Sequence, residues 1–127
     1  MNKQDYNLII KDILPRLFYG VKANISLVDG DVRDCVVSFD DVNDFANGDI
    51  TIIPYLRPME DMSKEEYQEY LKLAHYTGAG VLTTEHGEKS VWVPSLEKID
   101  WLNQHHFDYR GLIEKGLAID ATNLNIY

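Results

Sequence analysis

The sequence predicts an α+β domain: a small antiparallel sheet or partial barrel, with an N-terminal helix and C-terminal helices packed on it. Three observations carry that expectation. Apolar residues recur at three- and four-residue spacing near the start, alternating strands with an Asp-Gly turn follow, and capped helical stretches fill much of the second half. Strand and helix runs are segregated rather than interleaved, which disfavours a parallel sheet of βαβ units. With 127 residues, the chain reads as one domain, 1–127, with a single core.

The elements follow in order. Tyr6, Ile9, Ile10, Ile13, Leu14 and Leu17 form one apolar face over residues 3–18. Pro15 lacks a backbone donor, so this helix stops near Ile13 or kinks there, and Gly20 marks the exit. Residues 21–28 alternate, with Val21, Ala23, Ile25 and Leu27 on one face. Asp29-Gly30 then turns the chain into a returning strand over Cys35–Phe39. The Asp- and Asn-rich stretch 40–49 reads as a loop, and Ile50–Tyr55 as a third strand that Pro54 places at an edge or an exit. Ser63 and Glu66 make a capping box for a helix whose buried stripe is Tyr67, Tyr70, Leu71 and Ala74. Residues 81–84 and 90–93 bracket a turn at His86-Gly87, a second hairpin. Ser95 caps a further helix with Leu96, Ile99 and Leu102 inward and Asp100, Asn103 and Gln104 in water. In the ring-rich stretch 101–118, Asp108 is placed to cap a second short helix that Gly116 ends, and the tail 119–127 reads as partly frayed.

Composition narrows the function. The hydrophobic fraction of 45% and charged fraction of 26% are those of an ordinary folded domain. No apolar run approaches the roughly 18 residues of a membrane span, and the N-terminus lacks the apolar stretch of a signal peptide. The lone cysteine, Cys35, has no internal partner, so the expected compartment is reducing and the expected address cytoplasmic. A net charge of −9, from 21 acidic and 12 basic residues, repels phosphate backbones and argues against nucleic acid as a partner. The expected partner is a protein or a second copy of the chain, and no membrane. The run VKANISLVDG…VVSFDDVN resembles the first motif of Sm-like proteins in its strand, Asp-Gly turn and strand. It lacks that motif's mid-strand glycine and any Arg-Gly second motif, so the likeness implies a small bent sheet and not RNA binding.

YGVK at 19–22, YLRPMEDMSKEE at 55–66 and IDWLNQHHFDYRGLIEKGLAID at 99–120 occur in this order. Together they resemble a family of small uncharacterised proteins of Bacteroides-type gut bacteria and of the phages and prophages they carry. Ile53 before Pro54 and the pair Glu60-Asp61 depart from that family's usual Lys-Pro and Ser-Ser. The resemblance implies a setting, that of a phage accessory or host-takeover protein, and no mechanism.

His105, His106 and Asp108 are the constellation closest to chemistry, as acid–base groups or metal ligands. Adjacent helical residues point about 100° apart, so both imidazoles meet one atom only if the helix ends between them. Packing and capping are therefore the preferred roles, with a small metal-assisted or acid–base enzyme as the alternative. The acidic run 40–49 fails calcium-loop spacing because Phe45 occupies a ligand slot. No nucleophile elbow, P-loop or dinucleotide glycine pattern occurs, so no cofactor is expected. What remains is rings: eight Tyr, two Trp and four Phe. Tyr and Trp suit contact surfaces. Tyr55, Arg57 and Met59 share one side of an extended connector, and with Tyr109 and Arg110 they are the expected binding surface of a non-catalytic module. The competing reading makes the connector a strap under the C-terminal block.

Overall fold

The computed structural model describes residues 1–73, 76–84 and 87–127, with the backbone alone for 76–84 and 87–94. Helix α1, Lys3–Ile13, opens on a reciprocal cap in which Asn2 and Asp5 each accept the other's backbone N–H. The α-helix stops at Ile13. Pro15 then sits in the first turn of a 3₁₀ helix, Leu14–Tyr19, which Gly20 leaves with a left-handed φ of 69°.

Strands β1 (Lys22–Leu27), β2 (Val32–Val36), β3 (Ile50–Leu56) and β6 (Ile119–Asp120) form a sheet of order β2-β1-β3-β6. β1 is antiparallel to both neighbours, but β6 lies parallel to β3. The α+β architecture is as expected, while the sheet is mixed and open rather than wholly antiparallel. Its inner face, Ala23, Ile25, Ile52 and Leu56, is fully buried against Ile9 and Ile13 of α1. β2 begins and ends three residues earlier than expected, because residues 39–46 fold otherwise. The stretch read as a loop carries helix α2, Phe39–Ala46. Ser38 and Asp41 form its capping box, and Val42 and Phe45 face the core, with Tyr6 packed on the Phe45 ring. Acidic residues early in the helix suit its N-terminal dipole. Pro54 is fully buried in β3, which has strands on both sides. β6 pairs only with Tyr55 and Leu56, so no strand ladder on that side reaches Pro54.

In the second half, α3 is Lys64–Leu71, β4 (Tyr76–Thr84) and β5 (Gly87–Pro94) form an antiparallel ribbon, and α4 is Leu96–Gln104. Ala74 and His86 lie outside the described residues. Two of the inward faces differ from the sequence reading. Tyr67 and Leu71 are exposed, and α3 packs through Tyr70, whose ring meets Trp101 at 5.5 Å. Leu96 is exposed, and α4 buries Lys98, Trp101, Leu102 and Asn103. Trp101, Leu102 and Phe107 with Met59 and Met62 make a second apolar cluster beside the main core. The tail is docked rather than frayed: Ala121 donates to the Leu56 carbonyl, and the Tyr127 hydroxyl accepts from Lys22 N–H and donates to the Tyr55 carbonyl.

Candidate functional site

The corner after α4 is built from one device used twice. Phe107 N–H reaches Leu102 O and His106 N–H reaches Asn103 O, while Leu117 N–H reaches Leu112 O and Gly116 N–H reaches Ile113 O. Each is the paired closure that satisfies carbonyls at a helix end and needs a left-handed residue at its centre. Gly116 supplies one, with φ 73°, and His106 the other, with φ 62°. The short helix expected after Asp108 is a set of turns instead, with a second left-handed glycine at Gly111. Asp108 still caps it. Its two carboxylate oxygens accept Leu112 N–H at 2.8 Å and Ile113 N–H at 3.0 Å.

α4 does end before His106, as a shared metal or acid–base site would require, yet the three side chains do not converge. His105 lies on the Trp101 ring at 4.3 Å, with Nδ1 3.6 Å from Glu66. His106 is buried and stacks on Tyr127 at 3.8 Å. Burial, reinforced by the nearby charges of Arg16, His105 and Arg57, pushes the His106 imidazole down to about 4. Both oxygens of Asp108 are committed to the backbone. No group of three or more potential metal ligands occurs among the described residues. Each of the three has a structural task of its own.

Arg57 and Met59 are half-buried rather than exposed, and the connector is a strap. Arg57 N–H donates to His106 O and Arg57 O accepts from Asp108 N–H, in strand-like pairing with the C-terminal block. The Arg57 guanidinium lies over Phe107 at 4.2 Å and holds Glu66 with two bonds of 2.8 and 2.7 Å. That clasp holds Glu66 down at about 2. Met59 packs into the Trp101 cluster. Tyr109 and Arg110 sit against a buried ion pair that sequence reading missed. Asp12 and Arg16, one turn apart, are fully buried and joined at 3.0 Å. Arg16 also donates to Phe107 O at 2.7 Å, tying α1 to the corner. Arg110 Nε lies 3.5 Å from Asp12, and both guanidinium groups flank the Tyr109 ring. Burial raises the Asp12 carboxyl even though Arg16 opposes it. Its i,i+4 spacing was visible in the sequence, but nothing there showed that both residues are buried.

Only Tyr55 of the five expected surface residues belongs to an open surface of the sheet. On the outer face, its hydroxyl and the Asn24 amide both donate to Asp34 Oδ1, at 2.7 and 3.1 Å. Those bonds hold the Asp34 carboxyl below its usual range. Lys22, Asp34, Val36, Tyr55, Leu124 and Ile126 line a cleft of about 500 Å³ there. Beside it runs β2, the sheet's edge. Val37 N–H bonds Val21 O and Asp31 O bonds Leu27 N–H, so the odd-numbered residues of β2 turn their backbone groups toward β1. The backbone groups of Val32, Asp34 and Val36 therefore point away from the sheet, along an edge with no strand partner among the described residues. The side chains of Val32 and Val36 are 60% and 52% exposed, and Phe39 just beyond is 64% exposed. The sequence placed the returning strand at Cys35–Phe39, so it showed neither the alternation of Val32, Asp34 and Val36 nor that this edge lacks a strand partner among the described residues.

No helix among the described residues is long and apolar enough to cross a membrane. No family model, curated protein or solved structure matches the chain.

Proposed function

We propose that the protein is a non-catalytic binding module that acts through protein–protein contacts made by the β2 edge and the sheet face beside it. The accessory setting implied by the sequence resemblance makes a host or phage protein the natural target. The open edge carries the reading. A row of unpaired N–H and C=O groups flanked by exposed valines is the template on which another chain adds a strand. Natural sheets usually blunt such an edge with charge, proline or a bulge; β2 has no proline or bulge, and Asp34 is the one charged residue whose backbone groups point away from the sheet. The alternative, an enzyme using His105, His106 and Asp108, has the weaker support, since those side chains serve a stack on Trp101, a stack on Tyr127 and a cap.

The test is affinity purification from the cells that express the protein, with wild type and a Val36→Lys variant whose circular dichroism is unchanged. The expected result is a partner retained by wild type and lost by the variant. Equal retention by both moves the surface elsewhere, and recovery of no protein overturns the reading.

A further inference from the structure

We infer that the occupant of the β2 edge is an extended, basic segment of a partner protein, paired with β2 as an added strand and placing a lysine or arginine against Asp34. This rests on the edge-binding reading and specifies its partner. The first argument is charge. Residues 29–41 hold Asp29, Asp31, Asp34, Asp40 and Asp41 against a single base, Arg33. Arg33 is already paired with Asp41 at 3.1 Å, leaving the other four acids without a basic partner among the described residues. The second argument is the state of Asp34. Both of its hydrogen bonds land on Oδ1, from Tyr55 and Asn24, so Oδ2 has no partner among the described residues. Two neutral donors fix the carboxylate's orientation without neutralising it, and a guanidinium or ammonium group completes it.

The third argument removes the simplest rival, a second copy. The antiparallel register that overlaps all of β2 with its twofold mate sets Val32 opposite Val36, and Asp34 opposite Asp34 of the other copy. Like charges directly opposed destabilise a strand pair, and each copy brings a net charge of −9. A basic strand has neither problem. It gains main-chain bonds to the outward groups of Val32, Asp34 and Val36, apolar contact with both valines, and the cleft beside Val36 for one alternate side chain.

The experiment uses the full chain, isotope-labelled, and three ten-residue peptides: alternating valine and lysine, its valine–glutamate twin, and its valine–serine twin. Binding is read from amide shifts of residues 32–36 and from fluorescence anisotropy at two salt concentrations. The valine–lysine peptide is expected to shift those amides, to bind at least tenfold more tightly than either twin, and to weaken at high salt. Asp34→Asn keeps an acceptor for Tyr55 and should reduce that preference at least threefold. If all three peptides shift the edge amides equally, the basic-partner inference fails while the edge reading stands. If none does, both fail. Concentration-dependent shifts without peptide, with dimers in sedimentation, would make the second copy the occupant and overturn the inference.

Discussion

His106 occupies a backbone conformation that side chains with a Cβ resist, at φ 62°, because it closes the end of α4 where glycine would ordinarily sit. Its ring then stacks on Tyr127 and holds the tail. The two effects separate by substitution. His106→Ala loses the stack and keeps the strain, whereas His106→Gly loses the stack and relieves it. In chemical denaturation His106→Gly should be about 1 kcal/mol more stable than His106→Ala. A glycine variant less stable than alanine would show that the turn is not under strain. Asp108→Ala should cost about 2 kcal/mol, since it strands the buried Leu112 N–H as well as the half-buried Ile113 N–H. Asp108→Asn keeps one acceptor and should lose less.

Between elements, the decisive link is the Asp12–Arg16 pair, which runs from α1 through Arg16 to the Phe107 carbonyl. A buried ion pair is a poor source of net stability but a large liability once halved, because the remaining charge has no water. Arg16→Met should therefore cost about 4 kcal/mol. Adding Asp12→Leu to it should recover most of that loss, with coupling seen in a double-mutant cycle of urea midpoints. An additive double mutant would mean that the two charges do not depend on each other. The same logic makes the connector a strap: Arg57 is committed to Glu66, Phe107 and the chain at residues 106–108. The sequence left a strap under the ring-rich block and an exposed binding segment equally open, since an extended segment reads the same whether it lies in water or under another chain.

For the molecule as a whole, acid should weaken the fold over two pH ranges of different origin. His106 is held at about 4 against an unfolded value near 6.5, so the folded state keeps a neutral ring. Its contribution is fully present above pH 6.5 and is lost as pH falls from there to about 4, where the unfolded chain binds a proton that the fold refuses. Glu66, held at about 2, stabilises the fold above about 4.5, and that contribution is lost as pH falls toward 2. Urea midpoints measured from pH 7 to pH 5 should slope downward in wild type and less in His106→Asn, which also tolerates the left-handed backbone. Equal slopes would mean that His106 is not protected from protonation. The net charge of −9 adds a second expectation: moderate salt should raise the midpoint near pH 7 by screening self-repulsion.

Local patterns in the sequence by themselves determined the α+β class, a break in the first helix near Pro15, the Asp29-Gly30 hairpin, the caps at Ser63, Ser95 and Asp108, and the left-handed Gly116. These depend on steric and hydrogen-bonding preferences that act over a few residues, so a short window contains their cause. Helix α2 belongs with them in principle, because Ser38 and Asp41 spell its cap, but a run of Asp and Asn also spells a loop. Only the tertiary structure decided which faces were buried, that β6 joins β3 in parallel, that Arg16 meets Phe107 across 91 positions of chain, and that β2 lies at an edge of the sheet with no strand partner among the described residues. Each of those depends on what arrives from a distant part of the chain, and no window of neighbouring residues carries that information.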